Sequence, residues 1–227
     1  MKKIYTLIGF TLLVLQVTAQ EKKWQFGFSI DAFQAKLVNI SKDYDMQFHS
    51  VPYYTQYDYG GISPGIHVIR QLNERWSLKS GLSFIRHQSK FHFVYTDYLG
   101  LDIDAELNNR FNYLVVPITA NYRFFNWKNS NLAIGGGVLN KILWNYDSNF
   151  PDIINYMIYI PTDARTYVLG ARLEAEYEWI FKDHSRLGFL VFISRDMTAY
   201  LDKNIGFMNN LKISRYQSAG LGLSYAF

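Results

Sequence analysis

The sequence predicts an all-β protein, an eight-stranded antiparallel up-and-down transmembrane β-barrel, and three observations predict it. Apolar residues recur with a period of two along most of the chain, which gives strands with one apolar and one polar or small face. The connections between these segments alternate between short and long, as in barrels that cross a membrane with tight turns on one side and loops on the other. Hydrophobic residues make up 49% and aromatics 18% of the chain, yet no stretch after residue 20 approaches a membrane-spanning apolar helix. The apolar residues are instead spread over alternate positions.

The strands are expected at about 24–38, 59–72, 76–95, 110–125, 131–145, 164–181, 186–200 and 210–227. The sixth is the clearest. Tyr167, Leu169, Ala171, Leu173, Ala175, Tyr177, Trp179 and Phe181 fall on one face, and Thr166, Gly170, Arg172, Glu174, Glu176 and Glu178 on the other. A helix would scatter the three glutamates around its cylinder, whereas a strand points them all inward. Short turns are expected at Asn73-Glu74-Arg75, Asn126 to Ser130 and Lys182 to Ser185, with long outer loops near 39–58, 96–109, 146–163 and 201–209. An even number of strands puts both ends of the barrel chain on the short-turn, periplasmic side.

Tryptophans test this layout, because an apolar ring with an N–H that needs a partner favours the membrane–water boundary. Trp24, Trp76 and Trp179 fall at periplasmic strand ends and Trp127 in a periplasmic turn, while Trp144 lies near an outer end. Two features fit less simply. Pro64 and Pro117 interrupt expected strands, where each removes a ladder donor. The fifth strand, with Gly135, Gly136 and Gly137, lacks clear alternation and suggests a bulge.

The two ends agree on an exported protein. Lys2 and Lys3, an apolar run from Ile4 to Val17 and the small-residue site Val17-Thr18-Ala19 read as a secretory signal peptide. The expected division is a leader at 1–19 and a barrel domain at 20–227, with cleavage after Gln20 as the alternative. Loss of Lys2 and Lys3 lowers the formal charge from +4 to +2, which argues against a nucleic-acid partner. There is no cysteine, hence no disulfide, thiolate metal site or lipid-anchor cysteine. At the other end Leu221, Leu223, Tyr225 and Phe227 alternate with Gly222, Ser224 and Ala226. This pattern resembles the targeting strand of bacterial outer-membrane barrels, whose assembly machinery reads a terminal aromatic. The resemblance implies an integral outer-membrane protein in contact with outer-membrane lipid and lipopolysaccharide.

A family resemblance covers essentially the whole chain beyond the leader. Asn112-Tyr113-Leu114-Val115-Val116-Pro117-Ile118 resembles the Tyr-Leu-x-x-Pro-hydrophobic signature of the PorT-like outer-membrane β-barrel family of Bacteroidota. The Gly-rich strand Leu132 to Leu139 and the Gly-Leu-x-Tyr-x-Phe ending at Gly222 to Phe227 look like that family too. The family takes its name from a component of a secretion and gliding apparatus. The similarity implies a small eight-stranded barrel and its location, and it transfers no catalytic residue.

Candidate chemistry begins with the inward charges. Glu174, Glu176 and Glu178 would share the lumen with Lys79, Arg123, Arg172, Arg186 and Asp31, and in so narrow a barrel they read as a plug of paired charges. His87 and Ser89 form a possible base and nucleophile, the pairing that lipid A deacylases use. They face the lumen, however, and have no visible third group to orient the histidine. Asp43, Asp45, Asp102, Asp104 and Glu106 read as solvated loop carboxylates, without the spacing of a calcium loop. No motif implies a cofactor or metal. Tyr44, Phe48, Tyr53, Tyr54, Tyr57 and Tyr59 crowd the first outer loop, with Phe150, Tyr156, Met157 and Tyr159 in the third. Such rings extend the barrel or offer a contact surface for a partner. The leading function class is therefore a non-enzymatic structural or interaction protein, accessory to a surface or secretion assembly. A narrow pore and a lipid-modifying enzyme are the alternatives.

Overall fold

The computed structural model describes residues 24–38, 53–96, 102–149, 166–198 and 215–227. The leader with its cleavage site, Asp43, Tyr44, Asp45, Phe48, Phe150, Tyr156, Met157 and Tyr159 lie outside them. Eight strands run β1 (Trp24–Val38), β2 (Tyr53–Gln71), β3 (Trp76–Thr96), β4 (Asp102–Trp127), β5 (Ser130–Asn149), β6 (Tyr167–Ile180), β7 (Arg186–Asp196) and β8 (Arg215–Ala226). Each pairs antiparallel with the next, and β8 pairs with β1 to close the barrel. Closure satisfies every strand edge at the level of the shared ladder, which a membrane demands.

The register fixes the barrel's geometry. A row of paired residues starts at Trp24 and passes through Arg70, Leu78, Ala120, Gly136, Leu173, Ile193 and Ala219. It returns to β1 at Gln34, an offset of ten residues. With eight strands, such a stagger tilts each strand by about 40° to the barrel axis.

Several strand boundaries differ from expectation. β2 begins at Tyr53 rather than 59, β4 at Asp102 rather than 110, and β5 runs on to Asn149 rather than 145. Tyr53, Tyr54 and Tyr57 are thus ladder residues opposite Val94, Phe93 and Lys90, and Tyr59 lies opposite Ala35; none of these four is in a loop. Asp102, Asp104 and Glu106 are likewise in β4, opposite Thr96, Val94 and His92. The alternation signal fades where the strands leave the apolar belt, but the backbone ladder needs no apolar face to continue. On the loop side, β7 stops at Asp196 rather than 200, and β8 begins, among the described residues, at Arg215. Trp127 closes β4 opposite Ser130 and does not sit in the turn.

The prolines lie where a donor is not missed. Pro64 falls in the stretch where the β2–β3 register shifts, between Asp58 and Gly65. The β3–β4 ladder skips Gly81, Leu82, Val116 and Pro117 and resumes in the same register, while the Ser80 hydroxyl donates to the Pro117 carbonyl at 2.9 Å. The fifth strand does carry a bulge, but not at its glycines, which pair regularly with Thr119, Ala120 and Asn121. The extra residue is Trp144, between Asn145 and Leu143, and a second bulge at Phe124 marks the other end of the β4–β5 pair.

The short turns are built by side chains. Asn73 Oδ1 accepts from the backbone N–H of Arg75 and Trp76 at 2.9 and 2.8 Å. Asp183 Oδ1 accepts from the Ser185 hydroxyl at 2.7 Å and from its N–H at 3.1 Å, bonds that hold its carboxyl below the usual range. His184 completes that turn with φ 70°, in the left-handed region.

Candidate functional site

Alternation sends every second side chain inward, and the lumen is crossed at successive levels by groups from opposite walls. Near the turn end, Glu178 Oε2 meets Arg123 Nε at 3.6 Å and Arg186 Nη1 at 3.4 Å, and accepts from Asn131 Nδ2 at 3.1 Å. Two residues along β6, Glu176 takes Lys79 from β3 at 3.4 Å and the Ser224 hydroxyl from β8 at 2.7 Å. The next level is centred on Arg172, which bonds both Glu174 and Asp31 at 2.8 Å and lies 3.9 Å above the Phe192 ring. The seven residues Lys79, Arg123, Arg172, Glu174, Glu176, Glu178 and Arg186 are thereby brought into one stack with Asp31.

Room for these arms comes from small inward residues. A Cβ on Gly188 would stand 2.4 Å from Glu176 Oε1, and one on Gly222 would stand 2.3 Å from Asp31 Oδ1. The glycines are there for close approach, not for backbone freedom.

Above Arg172 the lumen changes character. Phe33 leads into a level where Lys141 Nζ meets Asp196 Oδ1 at 2.6 Å and His87 Nε2 at 3.2 Å. The His87 ring stacks on Tyr216 at 4.3 Å and 9°, edge-on to Phe33 and Tyr113. Phe111 and Tyr146, stacked at 4.7 Å, lie beyond. The Lys141–Asp196 pair is absent from the sequence-level reading. Its signal was the continuation of period two from Asn131 through Ala133, Gly135, Gly137 and Leu139 to Lys141, which the glycines and the Trp144 bulge obscured.

The five buried acids Asp31, Glu174, Glu176, Glu178 and Asp196 thus face the five bases Lys79, Arg123, Lys141, Arg172 and Arg186. An unpaired charge in such a place costs several kcal/mol, so equal numbers and mutual contact are what allow the lumen to be polar at all. His87 belongs to this packing. It is buried between Lys141 and three aromatic rings, which leaves no lipid-facing approach for a substrate.

The exterior is the inverse. Phe28, Ile30, Ile62, Ile66, Leu82, Ile118, Ile134, Leu173, Val191, Ile193, Leu221 and Leu223 are large apolar residues exposed on the outside. Trp76, Trp127, Trp179, Tyr225 and Phe227 project outward near the turn end, and Trp144 beyond the far border. With the strand tilt above, this belt is roughly 25 Å tall, the height of a lipid-facing band. An apolar outside around a charged inside defines the class: this is a transmembrane β-barrel.

Leu221, Leu223, Tyr225 and Phe227 stand on that outer face. Phe227 also closes the ladder, because its N–H donates to the Phe26 carbonyl at 2.9 Å and its carbonyl accepts from Phe26 at 3.4 Å.

The chain is similar to solved structures of outer-membrane proteins. The outer-membrane protein OprG from Pseudomonas aeruginosa is 12% identical, with 90% of this chain and 94% of that chain covered and a TM-score of 0.47. Neisserial surface protein A is 13% identical, with 89% and 97% covered and a TM-score of 0.41. The N-terminal barrel of Pseudomonas aeruginosa OprF is 13% identical, with 90% and 100% covered and a TM-score of 0.38. These likenesses concern the fold. No protein-family model matches the sequence, and no curated protein matches it.

Proposed function

We propose that the chain is an integral outer-membrane barrel with a closed lumen, a non-enzymatic protein that works by contact at its outer end. One observation carries this reading. Ion pairs and stacked rings cross the lumen at each level, while β2 to β5 continue far past the apolar belt as a four-stranded blade. From Asn112 to Asp102 alone β4 adds roughly 25 Å of height beyond the belt. The blade holds Tyr53, Tyr54 and Tyr57, and with Tyr44, Phe48 and Tyr59 it supplies the contact surface for a protein of a surface or secretion assembly. The resemblance of Tyr113 to Ile118 to the PorT-like signature supports the barrel and its location, and the alternating pattern of Leu221, Leu223, Tyr225 and Phe227 supports handling by the barrel assembly machinery. A leader at residues 1–19 would deliver the chain to that machinery. Outer-membrane lipid and lipopolysaccharide surround the belt.

Two measurements test the reading together. Purified barrel in planar bilayers should show no stable conductance, and a reproducible open channel would promote the pore alternative. Crosslinking in native membranes should capture a partner that is lost on replacing Tyr53, Tyr54 and Tyr57 together by serine. Lipid A that changes mass on expression of the protein would instead establish the enzyme alternative.

A further inference from the structure

The outer wall formed by β7, β8 and β1 carries a feature that the lumen and the blade do not explain. Gln217 on β8 pairs in register with Lys36 on β1 and with Arg195 on β7, so the three side chains stand side by side on the exterior. All three are exposed, and Arg215, two residues along β8 on the same face, is half-buried. Neighbouring strands lie about 4.8 Å apart, which gathers three cations within about 10 Å of Gln217. None has an ion-pair partner among the described residues, and every described carboxylate of β6, β7, β8 and β1 points inward.

The position of the cluster is informative. The next row toward the turn end is Gln34, Ala219, Ile193 and Leu173, and beyond it come Ala32, Leu221, Val191 and Ala175. The cations therefore mark the border of the apolar belt on the loop side, at the height of lipid headgroups. Beyond the Gln34–Ala219–Ile193 row, toward the turn end, lies an apolar groove of about 590 Å³ whose lining includes Ile30, Ala32, Ala175, Val191, Leu221 and Leu223.

We infer that Lys36, Arg195, Arg215 and Gln217 bind the phosphate of a lipopolysaccharide-type glycolipid, with one of its acyl chains in the groove below. Guanidinium forks match phosphate oxygens, the lysine adds a point charge and the amide adds a donor. At the edge of a low-dielectric layer, like charges this close repel one another unless an anion sits among them. An amphiphile with a phosphorylated head satisfies the cations and the groove at once, whereas a free phosphate would satisfy only the first. The inference rests on the outer-membrane reading above.

The test uses the folded barrel in detergent micelles, with folding confirmed first by heat-modifiable gel mobility and by insertion into lipid vesicles. Binding of lipopolysaccharide, of its enzymatically dephosphorylated form and of inorganic phosphate is then measured by native mass spectrometry. The phosphorylated lipid should bind best, and Lys36→Gln, Arg195→Gln and Arg215→Gln should each weaken it about three-fold, or about 25-fold together. Ala32→Phe, which fills the groove, should weaken both lipids alike. Equal binding of the dephosphorylated lipid, displacement by inorganic phosphate at equal concentration, or an unaffected triple variant would each overturn the site. A chain that folds in neither micelles nor vesicles sinks the outer-membrane reading instead, before any glycolipid is added.

Discussion

Arg172 on β6 and Asp31 on β1 meet inside the barrel at 2.8 Å, with Gly222 of β8 beneath the carboxylate. The same guanidinium holds Glu174, so one cation pairs with two buried acids on two strands. Removal of one member leaves the others charged in a place with little water. Asp31→Ala should therefore cost about 3 kcal/mol of folding free energy in lipid vesicles. Arg172→Ala should cost more, since it strands two carboxylates. The double variant Asp31→Ala/Arg172→Ala should cost less than the sum of the single changes. Strict additivity in urea titrations of vesicle-folded protein would show that the pair is not coupled.

Leu173 and Glu174 are consecutive but face opposite media. Leu173 is 61% exposed on the belt near its mid-height, and Glu174 is 7% exposed in the lumen. Leu173→Arg should cost about 2–4 kcal/mol, the penalty for a cation on the lipid face near the midplane. Glu174→Gln keeps the size and the hydrogen-bonding capacity and loses only a share of Arg172's charge pairing. Folding yields in vesicles should rank Leu173→Arg well below Glu174→Gln. The reverse order would mean that β6 is out of register by one residue.

The strands that lie within the belt were the legible ones. β6 and β8 alternate because lipid on one side and a tight lumen on the other act on every residue, so burial and sequence share a period of two. The seven inward charges of β3, β4, β6 and β7 followed from that alternation. Three things did not. The continuation of β2 and β4 into the blade has no apolar face to announce it. The place of the fifth strand's bulge, at Trp144 and not at the glycines, and the bulge at Phe124 are set by pairing with a neighbour, which one strand's sequence does not contain. The basic border of Lys36, Arg195 and Arg215 joins residues of three strands and exists only once their register is known.

Glycine placement makes a second paired comparison. Gly222 points into the lumen, where an added Cβ would also stand 2.9 Å from Leu190 Cγ. Gly136 points outward, and its Cβ would meet the Leu173 Cδ2 methyl at 3.2 Å, the end of a side chain free to turn in lipid. Valine favours strands at both positions by propensity alone. Gly222→Val should nevertheless destabilise by about 1–3 kcal/mol through overpacking against Asp31. Gly136→Val should be neutral or mildly stabilising. Equal effects in the same vesicle-unfolding assay would show that the lumen below Arg172 is looser than its contacts imply.

The seam between β8 and β1 is the last pairing needed to close the barrel, and Phe227 extends it past Ala226. Its backbone forms two bonds with Phe26, and its ring lies 6.1 Å from that of Phe28 on the outer face. Deletion of Phe227 removes both bonds and an aromatic anchor at the turn-end border of the belt, where rings of this kind prefer to sit. The deleted chain should insert poorly, accumulate as protease-sensitive material and lose its heat-modifiable band. Phe227→Ala keeps the backbone bonds and loses only the ring, so it separates the two contributions. If the seam dominates, Phe227→Ala should assemble nearly as well as the intact chain while the deletion fails. If the ring is what the assembly machinery reads, both should fail in cells, yet Phe227→Ala should still fold when the purified chain is diluted from urea into vesicles. Normal insertion of the deletion in cells would show that neither the seam's last pair nor the ring is required.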